Sequence, residues 1–300
     1  MPSWAKILKE IETKNAENQA IEAPWNSIRR KYLLLLHNHT KRNIIAWYSG
    51  WLQNPTLDVC SVSDFDKNGL MNAVHGLNKD LGLDLLLHTP GGDFAATESL
   101  VDYLHKIFGT NIRCFVPQMA MSSGTMIACA CKEIFMGKQS NLGPIDPQFA
   151  GVPAHGVIAE FNEAIESATR NPASIPIWQA IIGRYHPTFI GECRNAIELA
   201  SEIVERWLIR GMFSDDEQAE EKAKRIVKKL NNHADTKMHA RHIHAEEAVE
   251  FGLKISMLEN DNELQDLVLT VHHAYMHSFS VSKAVKVIEN HEGHAIVLNE

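Results

Sequence analysis

Two short turns hold the residue types from which acyl-transfer chemistry is built. Pro90-Gly91-Gly92 closes one apolar run, and Ala120-Met121-Ser122-Ser123-Gly124 closes another. A glycine pair can leave backbone N–H groups bare. A serine at the start of a helix stands beside further unbonded N–H groups and the positive end of the helix dipole. A serine hydroxyl facing such donors has the ingredients of a nucleophile and an oxyanion hole. Ser122 and Ser123 both qualify by residue type, and both also fit the commoner role of a helix N-cap.

A serine hydroxyl is a weak nucleophile at neutral pH and needs a base within about 2.6–3.2 Å. The candidates by sequence are His155, in the loop-like Pro153-Ala154-His155-Gly156, and Lys138, just past a strand end. Asp146, between Pro144 and Pro147, can orient a base or close a turn. His88 precedes the glycine turn, and strand alternation decides whether it approaches the site.

Other clusters are weaker. Asp64-Phe-Asp66-Lys-Asn68-Gly69 begins like a calcium loop, but His75 stands where the bidentate Glu belongs. Asp64 is instead expected to cap a helix over Asp66 to Leu77. His239, His242 and His244, then His272, His273 and His277, then His291 and His294 crowd the C-terminal part. His239-Ala-Arg241-His242 lacks the Glu of HExxH, and no acidic residue completes a ligand set with His273 and His277. Interface or surface roles are expected for these histidines, with no metal and no cofactor.

The turns need a scaffold. Strands are expected at Asn43 to Tyr48, Leu83 to Leu87, Ile112 to Val116 and Glu133 to Met136, with helices at Phe94 to Phe108 and Ser122 to Cys131. This alternation implies βαβ units and a mostly parallel α/β sheet. Both turns then fall at the carboxyl ends of strands, where sites of such sheets lie. Trp4, Ile7, Leu8 and Ile11 form a helical stripe that covers a core edge or a partner. Phe161 to Lys229 reads as helical, broken at Pro172, Pro176 and Pro187. Ala245 to Phe251 reads as a helix stopped by Gly252 and followed by a strand, and 260–280 as a further helix. The last twenty residues read as a tail.

Composition sets the outer bounds. The chain has 300 residues, 45% of them hydrophobic and 22% charged, with a net charge of -8. That length buries a sizeable core, and the acidic balance argues against nucleic acid or anionic membranes as partners. Five cysteines without a CxxC suit a reducing compartment. No apolar run approaches the ~20 residues of a membrane span, and no signal-peptide pattern opens the chain. A cytoplasmic protein is expected.

In order and spacing the two turns resemble those of the Clp protease proteolytic subunit and signal peptide peptidase A group. The ending EEAVEFGLKI is similar to the closing helix and strand of the same fold. LLLHTPGGD, VPQMAMSSGTMIA, MGKQSNLGPIDPQF and LQDLVLTVHHAYMHSF resemble segments of the serine dehydrogenase proteinase family. The resemblance implies a ClpP/crotonase-like fold of repeated ββα units with a mostly parallel sheet, plus helical N- and C-terminal extensions. It implies a lead-in over 1–40, a catalytic domain over 41–257 and a helical extension over 258–300. It implies Ser122 as nucleophile, with the N–H groups of Gly92 and Ser123 as oxyanion hole and Gly91 beside them. It also implies a serine endopeptidase, acting on peptides or proteins through an acyl-enzyme, in a homo-oligomer. The general base stays open. No His stands near Asp146 where the Clp subunit has one, and no Lys lies between Lys138 and Lys222 for a signal-peptide-peptidase dyad. A crotonase-like acyl-CoA enzyme and a catalytically silent peptide-binding or scaffold member are the alternatives.

Overall fold

The computed structural model describes residues 4–16, 23–231 and 241–300. Its centre is a sheet built from the apolar, β-branched runs of the sequence. Asn43–Ser49 (β1) and Leu83–His88 (β2) are buried along their whole length, as strands covered on both faces must be. Ile112–Val116 (β3) and Glu133–Met136 (β5) continue the sheet, and Ile255–Met257 (β10) closes that edge. All these neighbours pair in parallel. Ala284–Asn290 (β11) pairs antiparallel with β1, and Ala295–Asn299 (β12) antiparallel with β11. The strand order is β10-β5-β3-β2-β1-β11-β12. The architecture is thus α/β with a mostly parallel sheet, as the alternation of elements implies.

Alternating side chains feed two cores. Ile44, Ala46, Tyr48 and Leu86 face Pro24–Thr40 (α2) and Asn262–Val281 (α11). Trp4–Ala16 (α1) lies across these two helices with Ile7 and Ile11 buried, so the N-terminal stripe covers a core edge. Ile45, Trp47, Leu85 and Leu87 face the other way. There they meet Asp66–Val74 (α3), Phe94–Phe108 (α4), Ser123–Cys129 (α5), Phe189–Arg210 (α8) and Ala219–Asn231 (α9). Met119–Ala120 (β4), Asn141–Leu142 (β6) and Ile243–His244 (β9) form a small sheet beside the serine turn. Gln148–Phe149 (β7) and Val152–Pro153 (β8) make a hairpin that leads into Ala154–Arg170 (α6). Ile175–Ile182 (α7) follows, with Pro176 inside its first turn rather than at a break. Ala245–Phe251 (α10) ends at Gly252, as its sequence indicates.

Three expectations need correction. The last twenty residues are not a tail but β11 and β12, inside the central sheet. Asp64 does not cap α3, which stops at Val74; Asp66 instead accepts the Ser63 N–H at 3.0 Å through Oδ2. Ser122 is not helical, because α5 starts at Ser123.

Candidate active site

The two turns are stitched to each other by backbone bonds. Thr89 N–H donates to Met119 O at 3.1 Å, and Met121 N–H donates to Thr89 O at 3.0 Å. Gly91 has φ +95°, and a Cβ there would stand 2.7 Å from both Met121 O and Ser122 Cβ. Only glycine allows this approach of turn to turn. Gly92 is pressed against a third segment. Val62 N–H donates to Gly91 O at 2.8 Å and Asp93 N–H donates to Val62 O at 2.9 Å. A Cβ on Gly92 would fall 2.3 Å from Val62 N.

Ser122 is the strained point. Its backbone holds φ +52°, ψ -118°, and its side chain makes no capping bond. Such a conformation costs a non-glycine residue about 1–3 kcal/mol and persists where the surroundings over-determine it. Thr125 is part of those surroundings: its hydroxyl donates to Ala120 O and accepts the Gly143 N–H, both at 2.8 Å. A sharp turn of this kind lifts the serine hydroxyl out of the helix, where an N-cap would have spent it.

Ser122, Ser123, Gly91, Gly92 and Asp146 line one cleft of about 540 Å³. Pro90, Phe94, Met126, Ile145, Phe149 and Leu199 form apolar walls. Neither the Gly92 nor the Ser123 N–H donates a hydrogen bond to the described residues. The first turn of α4 also opens here, with Asp93 Oδ1 capping the Ala96 N–H at 2.6 Å. Bare N–H groups and helix N-termini together make the cleft floor favourable to negative charge.

The other sequence candidates lie elsewhere. Lys138 is exposed after β5, and its N–H donates to Glu259 Oε1 at 2.9 Å. His155 opens α6 with Nε2 3.3 Å from Asn231 Oδ1. Neither lines the cleft. Asp146 does, and it is buried there. His88 shares the parity of Leu86 and so faces α11, away from the cleft, with its ring 5.7 Å from that of Tyr48 and 5.3 Å from that of His272. Neither His88 nitrogen has a hydrogen-bond partner among the described residues. Burial pushes its pKa down to about 3, a nearby Met119 backbone group offsetting part of the effect. His272 is driven down for the same reason, with His88 and His273 adding repulsion.

Of the C-terminal histidines, expected at interfaces or on the surface, His272, His277 and His291 are not on the surface but buried. His239 lies outside the described residues. Among the described residues, no group of three or more His, Cys, Asp or Glu is arranged to hold a metal ion. No described helix is long and apolar enough to cross a membrane. Ser61, Val62 and the α8 residue Leu199 were missed in sequence. Phe149 carried a signal in the Gly143-Pro144-Ile145-Asp146-Pro147 run just before it, but Val62 contributes only backbone and has no side-chain signature.

The chain is similar to several known proteins. The uncharacterized protein MJ0137 of Methanocaldococcus jannaschii is 32% identical over 190 residues, covering 63% of this chain and 59% of that protein. A second uncharacterized protein of that organism, MJ1495, is 30% identical over 169 residues, covering 56% of this chain and 50% of that protein. The chain therefore spans only part of the length of these relatives. The family described as ClpP-like SDH-type serine proteinase matches residues 29–180, which carry both turns and Asp146. Half of the chain, including the strained serine and its glycine partner, thus follows one family pattern, and the chain belongs to the ClpP-like SDH-type serine proteinases.

Proposed function

We propose that the chain is a serine peptidase whose nucleophile is Ser122. The observation that carries this reading is the strained Ser122 backbone, which presents an uncapped hydroxyl beside two N–H groups without partners among the described residues. Ser122 Oγ attacks the carbonyl carbon of a bound peptide while its proton passes to Asp146. The Gly92 and Ser123 N–H groups bind the oxyanion that forms. Collapse breaks the C–N bond, Asp146 returns the proton to the leaving amine, and an acyl-enzyme remains on Ser122. Water activated by Asp146 then releases the acid and regenerates the serine.

All residues of this reading lie within 41–257, the proposed catalytic part, although β11 and β12 complete its sheet from beyond. Self-assembly belongs to the same reading. Ile165 and Ile177 on α6 and α7 are 66% and 64% exposed, apolar surface that suits contact with a second copy.

A second reading has one specific support. Among the described residues no His or Lys lines the cleft, which favours a silent member that binds peptides without cutting them. Turnover of an internally quenched peptide separates the two. Ser122→Ala is expected to lower kcat by at least about a thousandfold, and Asp146→Asn by about a hundredfold or more. Peptide binding without turnover in the wild type would establish the silent reading. CoA-thioester turnover that survives Ser122→Ala would establish a crotonase-like one.

A further inference from the structure

Behind the glycine turn, outside the cleft, lies a buried ion pair. Its position follows from the crossing of α3 over β11. A Cβ on Gly69 would stand 2.6 Å from Ile288 Cδ1, so helix and strand meet closely there. Asp66 shares a helix face with Gly69 three residues on, and Lys286 shares a strand face with Ile288 two residues on. The crossing that seats Gly69 on Ile288 therefore brings Asp66 to Lys286. Lys286 Nζ stands 2.8 and 3.1 Å from the Asp66 oxygens. Both side chains are almost fully buried.

The pair grips one short segment. Lys286 Nζ donates to Ser61 O at 2.6 Å, which gives its third proton a partner. Asp66 Oδ2 accepts the Ser63 N–H at 3.0 Å. Val62, between the two held groups, makes both backbone bonds to the Gly91-Gly92-Asp93 turn. One residue thus separates the ion pair from the peptide that carries the Gly92 N–H.

We propose that Lys286 and Asp66 are positioning residues for the oxyanion-hole turn, acting through the Ser61-Val62-Ser63 segment; this rests on the peptidase reading above. A buried ion pair is a poor source of stability compared with apolar groups of the same volume. What the charges supply here is position. A hydrogen-bond donor must hold the Ser61 carbonyl from this side and an acceptor the Ser63 N–H, and Lys286 and Asp66 supply them.

The test compares Lys286→Met/Asp66→Leu, Lys286→Arg and Asp66→Asn with the wild type on an internally quenched peptide. Amide hydrogen exchange at Val62 and Asp93 is followed in parallel. The apolar double variant is expected to keep a cooperative unfolding transition. Its kcat should fall about ten- to a hundredfold while KM stays within about threefold, as for a misplaced catalytic group. Lys286→Arg should restore kcat to within about threefold, because a guanidinium can still reach both partners. Exchange at Val62 and Asp93 should quicken at least about tenfold in the double variant, reflecting local opening. If the double variant does not fold, Asp66→Asn is judged by the same split of kcat from KM. A folded double variant with wild-type kcat and wild-type exchange would overturn the proposal. A wild type without Ser122-dependent turnover would defeat the peptidase reading alone, and the exchange of the two amides would still decide whether the ion pair holds the turn.

Discussion

The cleft at Ser122 and the aromatic cluster around His88 sit at the carboxyl ends of the same strands, on opposite faces of one sheet. Both hold polar groups without partners among the described residues. In the cleft these are the N–H groups of Gly92 and Ser123, beside a serine in a strained conformation. In the cluster they are the Tyr48 hydroxyl, both His88 nitrogens and His272 Nδ1, shut between β1, β2 and α11. An unpaired donor facing an open cleft can be used by a substrate. An unpaired donor closed off by aromatic rings only costs stability, about 1–3 kcal/mol each. Access, rather than polarity, distinguishes a reaction site from a weak point in the core.

The largest effect that sharpens this contrast belongs to the cleft. Gly92→Val forces a Cβ into the Val62 backbone and moves the N–H at that position. The expected loss is about a hundred- to a thousandfold in kcat, comparable to losing one oxyanion donor. Steady-state kinetics, with circular dichroism to confirm folding, measures it. Unchanged kcat would remove Gly92 from the oxyanion hole.

The cluster should answer to pH instead. The unfolded chain protonates histidine near 6.5, whereas folded His88 does so only near 3. The folded state binds fewer protons between those values, so stability is full above pH 6.5 and is lost as pH falls toward 3. From pH 7 to pH 5, His88 alone should account for roughly 2 kcal/mol of lost unfolding free energy. Denaturant unfolding of His88→Leu should show a pH dependence flatter by about that amount, and His272→Leu a change of the same sign. A variant with the wild-type slope would place the acid sensitivity elsewhere. The smallest effect is expected outside both regions: Lys138→Ala should change kcat by less than about threefold, because an exposed lysine that does not line the cleft contributes little.

The two regions were not equally legible in sequence. The turns could be read because glycine pairs and a serine at a strand end have few structural uses in that order. The face of His88 was not legible, because Leu83–His88 is buried along its whole length and alternation alone does not say which face meets the cleft. The strand β11 was hidden by its own charges. Lys286 and Glu289 make Ala284–Asn290 read as a polar tail, yet Lys286 is paired with Asp66 and Glu289 with Arg29 and Arg30. Those partners lie far away in sequence, so burial of the charges could not be inferred from the segment itself. The Val62 contact was invisible for a related reason. It is made by backbone alone and would look the same with many other side chains.

The central claim is that Ser122, and no other residue, is the activated nucleophile. A fluorophosphonate probe applied to the folded protein, followed by peptide mapping of the adduct by mass spectrometry, tests it most directly. A single adduct on Ser122, absent from Ser122→Ala, is the predicted result. A folded wild type that stays unlabelled, or an adduct that persists in Ser122→Ala, would contradict it.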